Sequence, residues 1–362
     1  MRTLSQVLIV LFCCFSSAAF TQQDASPAQV TPPTGLTTPA AHPDRRITLD
    51  VAVTDKSGNL VPGLQEQDFT VLDDKQPKTI LSFRAADGST KAADSPLQVI
   101  LLVDAVNASF QDVGYQRQQL EKFLRRDGGQ LPVPMSLVLF SDKSTEIQPV
   151  ATRDGNSLAD SLSSTKSGLR TIVRSQGFYG SQDRVELSLR ALEDLASYES
   201  KQPGRKLLIW LSPGWALLSG PGVELTAKNQ EAIFDNVVRL STALREARVT
   251  LYSIDPIGVA DAASPRTFLY ESYLKGVASA RKVQNGNLAL QVLAAQSGGR
   301  VLNSQNDISK SIANCLMDAT AYYTLSFDSP PADGPNEYHN LQLKIDKPGL
   351  TARTRTGYYA QP

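Results

Sequence analysis

Hydrophobic and polar positions alternate along this chain in two rhythms, and the change between them divides it. From Ile47 to Phe83 apolar residues come every second position in short bursts. Ile47, Leu49, Val51 and Val53 lead, and Phe69 and Val71 follow after the turn residues DKSGN. A period of two sets one side of a strand on a core and the other in water, so short antiparallel strands are predicted. From Leu97 the apolar residues run together as LQVILLV, MSLVLF, KLLIWL and VTLYSI, with TEIQPV read as an edge strand. Between these blocks the apolar positions step by three and four. Leu120, Phe123 and Leu124 form one such stripe, Val185, Leu189, Leu192 and Ala196 another, and Ile233, Val237, Leu240, Leu244 and Ala247 a third. A helical stretch reaching Gln296, the strand RVLN and a helix holding Cys315 close the series. Continuous apolar strands separated by amphipathic helices mean a mostly parallel sheet covered on both faces. Residues 95–320 are therefore expected to be a doubly wound α/β domain.

After Ala321 the strand rhythm returns in YYTLSF, NLQLKID and TARTRTGYY, with Pro348-Gly349 as a turn. Residues 47–90 and 321–360 are each too short for an independent core. The two flanks are therefore predicted to pair into one small β-sandwich, with the α/β domain inserted between its halves.

The first twenty residues carry Arg2, an apolar run from Val7 to Phe15 and the small residues Ser16 to Ala19. This is a secretory leader, residues 1–20, with cleavage expected after Ala19, and its apolar run is too short to span a bilayer. Residues 21–46, rich in Pro, Thr, Ala and Gln, read as a flexible tether. The mature chain is expected outside the cytoplasm, secreted or periplasmic at the cell envelope, with no transmembrane segment. Past the leader Cys315 is the lone cysteine, so no internal disulfide can form. It sits in an apolar helical stripe with Ile308, Ile312, Leu316 and Ala319 and reads as a small buried hydrophobe.

Thirty-six basic residues balance thirty-six acidic ones in a chain that is 41% hydrophobic and 20% charged. No net field draws the molecule to nucleic acid, which is not expected as a partner. Two histidines, His42 and His339, leave no His-based catalytic pair or zinc cluster, and no nucleophile elbow, P-loop or dinucleotide turn is present.

Ligands of open parallel sheets bind beyond the carboxyl ends of the strands, where strand order reverses. The first strand ends at Val103-Asp104, which places Asp104 at that crevice. The strand and helix order, with an Asp closing the first strand, resembles a von Willebrand factor type A domain. The flanks VAVTDKSGNLVPGLQEQDFTVLDDKQPKTILSF, AYYTLSF, KPGL and RTRTGYY resemble a group of secreted bacterial proteins carrying a type A-related domain. The resemblance covers residues 47 to 359. It implies a metal-ion-dependent adhesion site, an Asp-x-Ser-x-Ser loop with a Thr and an Asp from two further loops, holding magnesium or another divalent cation for a partner's carboxylate. This chain keeps Asp104 but has Val106 and Ala108 at the serine positions, and Ser212-Pro213-Gly214 where the family often has Ser-Asp-Gly. Asn107, Ser109, Ser181 and Ser212 are the remaining oxygen donors, so the site is degenerate. Asp104 has a second reading, as a cap that bonds the amides of its own loop.

The segment from Ser163 to Arg184 joins basic residues to aromatics, and Arg174, Phe178 and Tyr179 are candidate contacts for a protein or surface ligand. Trp215, in PGWALLSGPG, is a fourth. Three function classes follow, namely a non-enzymatic binding module, an acid–base enzyme using Asp104 and Asp255, and a passive structural module of the envelope.

Overall fold

The computed structural model describes residues 45–86, 96–164, 178–215, 217, 224–256, 269–303 and 307–362. The leader and the tether up to residue 44 lie outside them, as do Arg174 and the side chains of Phe178 and Tyr179. The N-terminal flank folds as β1 (Arg46–Thr54), β2 (Phe69–Asp73), β3 (Gln76–Lys78) and β4 (Ser82–Ala86). Next come β5 (Leu97–Asp104), α1 (Phe110–Leu124), β6 (Gln130–Phe140), β7 (Thr145–Ile147), β8 (Thr152–Asp154), α2 (Gly155–Ser164), α3 (Phe178–Ser200) and β9 (Arg205–Leu211). The α/β region is completed by α4 (Ala227–Glu246), β10 (Val249–Ile254), α5 (Leu290–Gln296), β11 (Val301–Leu302) and α6 (Ile308–Thr320). The C-terminal flank supplies β12 (Tyr322–Asp328), β13 (Glu337–Ile345), β14 (Thr351–Arg353) and β15 (Gly357–Ala360).

The central seven-stranded sheet has the order β11-β10-β9-β5-β6, all parallel, with β7 and β8 antiparallel against β6. Alternate residues of β5 explain why it is apolar throughout. Val99, Leu101 and Val103 pack with α1, α2 and α6, while Ile100 and Leu102 pack with α3, α4 and α5. Each such side chain removed from water contributes about 1.5–3 kcal/mol. The parallel strands reverse direction of addition between β5 and β9, so the crevice expected from the topology opens beside the end of β5.

Two parts of this region depart from the hydrophobic pattern. The stretch expected to be helical up to Gln296 is instead three short 3-10 turns, Tyr270–Tyr273, Ala280–Lys282 and Asn285–Leu288, before the seven-residue α5. Its Gln284-Asn285-Gly286-Asn287 sequence prefers local side-chain bonds, and Asn287 accepts from the Gln284 N–H at 2.8 Å. The helix α2 was not expected, because a core face of Leu158, Ala159 and Leu162 is a weak signal among serines.

The flanks meet across the length of the chain. β1 pairs antiparallel with β12 from Arg46 opposite Asp328 to Val51 opposite Tyr323, and β13 pairs with β2. Two four-stranded sheets result, β14-β1-β12-β4 and β15-β13-β2-β3. Leu49, Val51, Phe69, Val71, Leu325, Phe327 and Leu341 form their shared core. The TARTRTGYY segment divides between the two sheets. Thr354 Oγ1 donates to the Asp50 carbonyl at 2.8 Å and the Thr356 N–H to Gln296 at 3.1 Å, and these bonds carry the chain from one sheet to the other.

A buried ion cluster ties the flanks to the α/β core. Asp318, fully buried near the end of α6, accepts from Tyr252 Oη at 2.8 Å, from Arg300 at 3.1 Å and from Arg353 of β14. Arg205 donates to its backbone carbonyl at 2.7 Å. Burial alone would raise the carboxyl pKa, but the Arg353 and Arg300 guanidiniums outweigh it and hold the group below the usual range.

Gly204 shows how tightly β9 enters the sheet. Its φ is +88°, and a Cβ there would lie 1.8 Å from the Pro96 carbonyl oxygen, which the Arg205 N–H needs as acceptor. Gly204→Ala is expected to cost about 1–3 kcal/mol in urea unfolding, the range for a residue forced into a disfavoured backbone region. A loss below a few tenths of a kcal/mol would show that the turn relaxes freely.

Candidate functional site at the carboxyl edge of the sheet

Asp104 ends β5 and is fully buried. Its Oδ1 accepts the backbone N–H groups of Val106 at 2.8 Å and Asn107 at 2.9 Å. Its Oδ2 accepts Asn107 Nδ2 at 2.8 Å and the indole N–H of Trp210 at 3.0 Å. Each carboxylate oxygen thus takes two donors, which uses the lone pairs a cation would need. Asn107 Nδ2 also donates to Ser188 of α3 at 2.9 Å, and Ser188 in turn donates to the Arg184 carbonyl at 2.8 Å. The loop after β5 is therefore closed by its own donors and fastened to both β9 and α3.

The other predicted oxygen donors serve their own neighbourhoods. Ser109 is the N-cap of α1, accepting the Asp112 N–H at 3.2 Å while its own N–H bonds the Asp112 carboxylate at 3.2 Å. Ser212 is fully buried, and its Oγ accepts the Gly214 N–H at 3.1 Å. Ser181, in the first turn of α3, accepts from Arg184 at 3.2 Å. Of the five residues predicted to gather round a cation, the structure joins Asp104 and Asn107 by a direct hydrogen bond.

Trp215 corrects the expectation of a contact residue. It is 7% exposed, with its ring edge-on to Trp210 at 5.7 Å, because the turn after β9 folds its indole back onto the sheet. The Asp104 and Asp255 pair is also separated. Val103 lies opposite Leu211 and Leu211 opposite Ile254, so β9 stands between the two carboxylates and their backbones are about 10 Å apart at normal strand spacing.

Two residues of this edge were missed in the sequence. Trp210 read as one more apolar position in KLLIWL, although a buried indole N–H calls for an acceptor. Phe110, at the end of the polar stretch that follows Asp104 in the sequence, is 72% exposed directly after the closed loop. Asp142 beyond β6 and Asp183, Glu186 and Arg190 of α3 line a polar groove.

No family model and no curated protein matches this sequence. Similarities to solved structures exist at low identity. An aerotolerance-related membrane protein from Bacteroides fragilis is 14% identical, with 62% of this chain and 98% of that one covered and a TM-score of 0.31. The pilus adhesin SpaC from Lactobacillus rhamnosus GG is 9% identical over 83% of this chain, which spans about half (49%) of the adhesin, with a TM-score of 0.36. The VWA domain of SpRpn10 is 14% identical over 59% of this chain and 88% of its own, with a TM-score of 0.26. The α/β assignment stands on this chain's own strand order.

Proposed function

We propose that this protein is a secreted or envelope-associated binding module, an α/β domain set into a small β-sandwich. It takes a protein or surface ligand at the carboxyl edge of its parallel sheet, and Asp104 organises that edge in place of an ion. The observation that carries this reading is an exposed aromatic on a rigid support, Phe110 at 72% exposure immediately after a loop held by the four hydrogen bonds to Asp104. An aromatic side chain has few rotatable bonds to lose on docking and a large area to bury, and such residues are enriched among interface hot spots. Asp142 and Glu186 on the same edge suit a partner with basic groups around an apolar pocket. Asp104 has no oxygen left for proton transfer, which favours binding over acid–base chemistry at this edge.

The test compares labelled parent and Phe110→Ser proteins for binding to envelope preparations, with and without millimolar magnesium. We expect about a thirtyfold loss for the variant, the worth of a 2 kcal/mol hot spot. Its unfolding midpoint should be unchanged, and magnesium should have no effect on either form. Equal binding by both proteins would remove Phe110 from the interface, and a magnesium requirement would restore an ion to the loop.

A further inference from the structure

We infer that Asp73, Asp74 and His339 form a binding site for a divalent transition metal ion of the zinc class, at the junction of the two flanks. Asp73 closes β2, Asp74 opens the tight turn into β3, and His339 lies on β13. The backbone at Asp74 and Lys75 is left-handed, with φ of 48° and 69°, and this two-residue hairpin turn swings the second carboxylate round beside the first.

One oxygen of each carboxylate converges on the same imidazole nitrogen. His339 Nδ1 is 3.0 Å from Asp73 Oδ1 and 3.2 Å from Asp74 Oδ2, and the three ligand atoms lie within 4.8 Å of one another. Atoms about 2.0–2.2 Å from one zinc ion are separated by roughly 3.0–3.4 Å at octahedral or tetrahedral angles, and both spacings from the imidazole nitrogen fall in that range. The opposite oxygens are held by other groups. Asp73 Oδ2 accepts Tyr358 Oη at 2.9 Å with Lys78 Nζ 3.5 Å away, and Asp74 Oδ1 accepts the Asn340 N–H at 3.0 Å. Those bonds orient both carboxylates toward the imidazole, as an outer shell does around a metal centre.

A second observation comes from the far side of the ring. His339 is 5% exposed and stacked on Tyr358 at 4.9 Å, and its Nε2 is buried without a hydrogen-bond partner among the described residues. A neutral imidazole donating from Nδ1 leaves Nε2 a bare acceptor with no donor near it. A metal ion on Nδ1 moves the proton to Nε2, where the Glu337 carboxylate stands 3.9 Å away, within closing distance. The carboxylate–histidine–metal arrangement thus satisfies an atom that is otherwise orphaned. Two carboxylates and one imidazole balance the charge of a divalent ion. Asp74, whose side chain is 52% exposed, opens the site to solvent and to coordinating water. The sequence argument that two histidines exclude zinc holds for clusters of several histidines. It does not reach a site with one imidazole and two aspartates that are distant in the chain.

The experiment uses the full chain, stripped with a chelator and then titrated with zinc by calorimetry and with cobalt by visible absorption. We expect one zinc per chain, a raised unfolding midpoint and a cobalt d–d band. Asp74→Asn, chosen because its side chain is half exposed and the fold should survive, should lose at least about tenfold in affinity, and Glu337→Gln about tenfold through the outer shell. Asp104→Asn should bind zinc as the parent does. Absence of binding at a hundred micromolar zinc, or equal binding by the parent and Asp74→Asn, overturns the assignment.

Discussion

Asp318→Ala is expected to destabilise the protein by about 3–5 kcal/mol, the cost of removing one member of a buried ion cluster and leaving its partners uncompensated. The carboxylate is fully buried and holds Arg300, Arg353 and the Tyr252 hydroxyl at once. Because Arg353 belongs to β14 and Asp318 to α6, the loss should fall on the attachment of the C-terminal strands as well as on the α/β core. A pH signature accompanies it. The folded pKa lies below the unfolded value of about 3.9, so the stabilisation is complete above that value and is lost as pH falls through the lower, folded one. Urea unfolding of parent and variant from pH 7 to pH 2.5 should show the two curves converging as the medium becomes acid. A difference below about 1 kcal/mol at neutral pH would mean that the cluster is neutral in energy and only geometric in role.

Asp104→Ala should have a comparable effect by another route. It strips the acceptor from two backbone amides, the Asn107 side-chain amide and the Trp210 indole. Each buried donor left alone costs about 1–3 kcal/mol, and water entering the vacated space offsets part of the total, for a net loss of about 3–5 kcal/mol. Asp104→Asn keeps the volume but turns an NH2 toward two donors, and a loss of about 2–3 kcal/mol is expected. Trp210 fluorescence during unfolding reports the network directly. If magnesium raised the parent's midpoint by several degrees and left Asp104→Asn unmoved, the four-donor account of the loop would fall.

The architecture was legible because its signals are repeated. Period two at Ile47, Leu49, Val51 and Val53 and apolar blocks such as LQVILLV each recur several times, and the mostly parallel central sheet follows from them. The burial of Cys315 was legible for the same reason, since it sits in a stripe. Asp104 could be placed at the end of the first parallel strand, and its reading as a cap on the amides of its own loop holds at Val106 and Asn107, but the Trp210 indole that joins them could not be read. Ser188, which accepts from Asn107, is 81 residues from it, and Trp210, which donates to Asp104, is 106 residues away, so the partners that fasten the loop to α3 and β9 come from elements whose register no local pattern encodes. Trp215 misled because a Gly- and Pro-rich surrounding suggests an outward loop, while the packing of one indole against another draws it in. His339 and Asp73 are 266 residues apart and meet only once both flanks share a sheet.

That sharing has a consequence for how the protein is made. Arg46 on β1 finds its ion partner, Asp328 on β12, 282 residues later, so a ribosome working at about 5–20 residues per second delivers the first strand on the order of tens of seconds before its mate exists. Through that interval β1 lacks both of the strands it pairs with, β12 and β14. A prematurely terminated polypeptide that stops after α6 would lack both strands that β1 pairs with and the Arg353 that compensates Asp318, so neither the sandwich nor the α/β body would be complete.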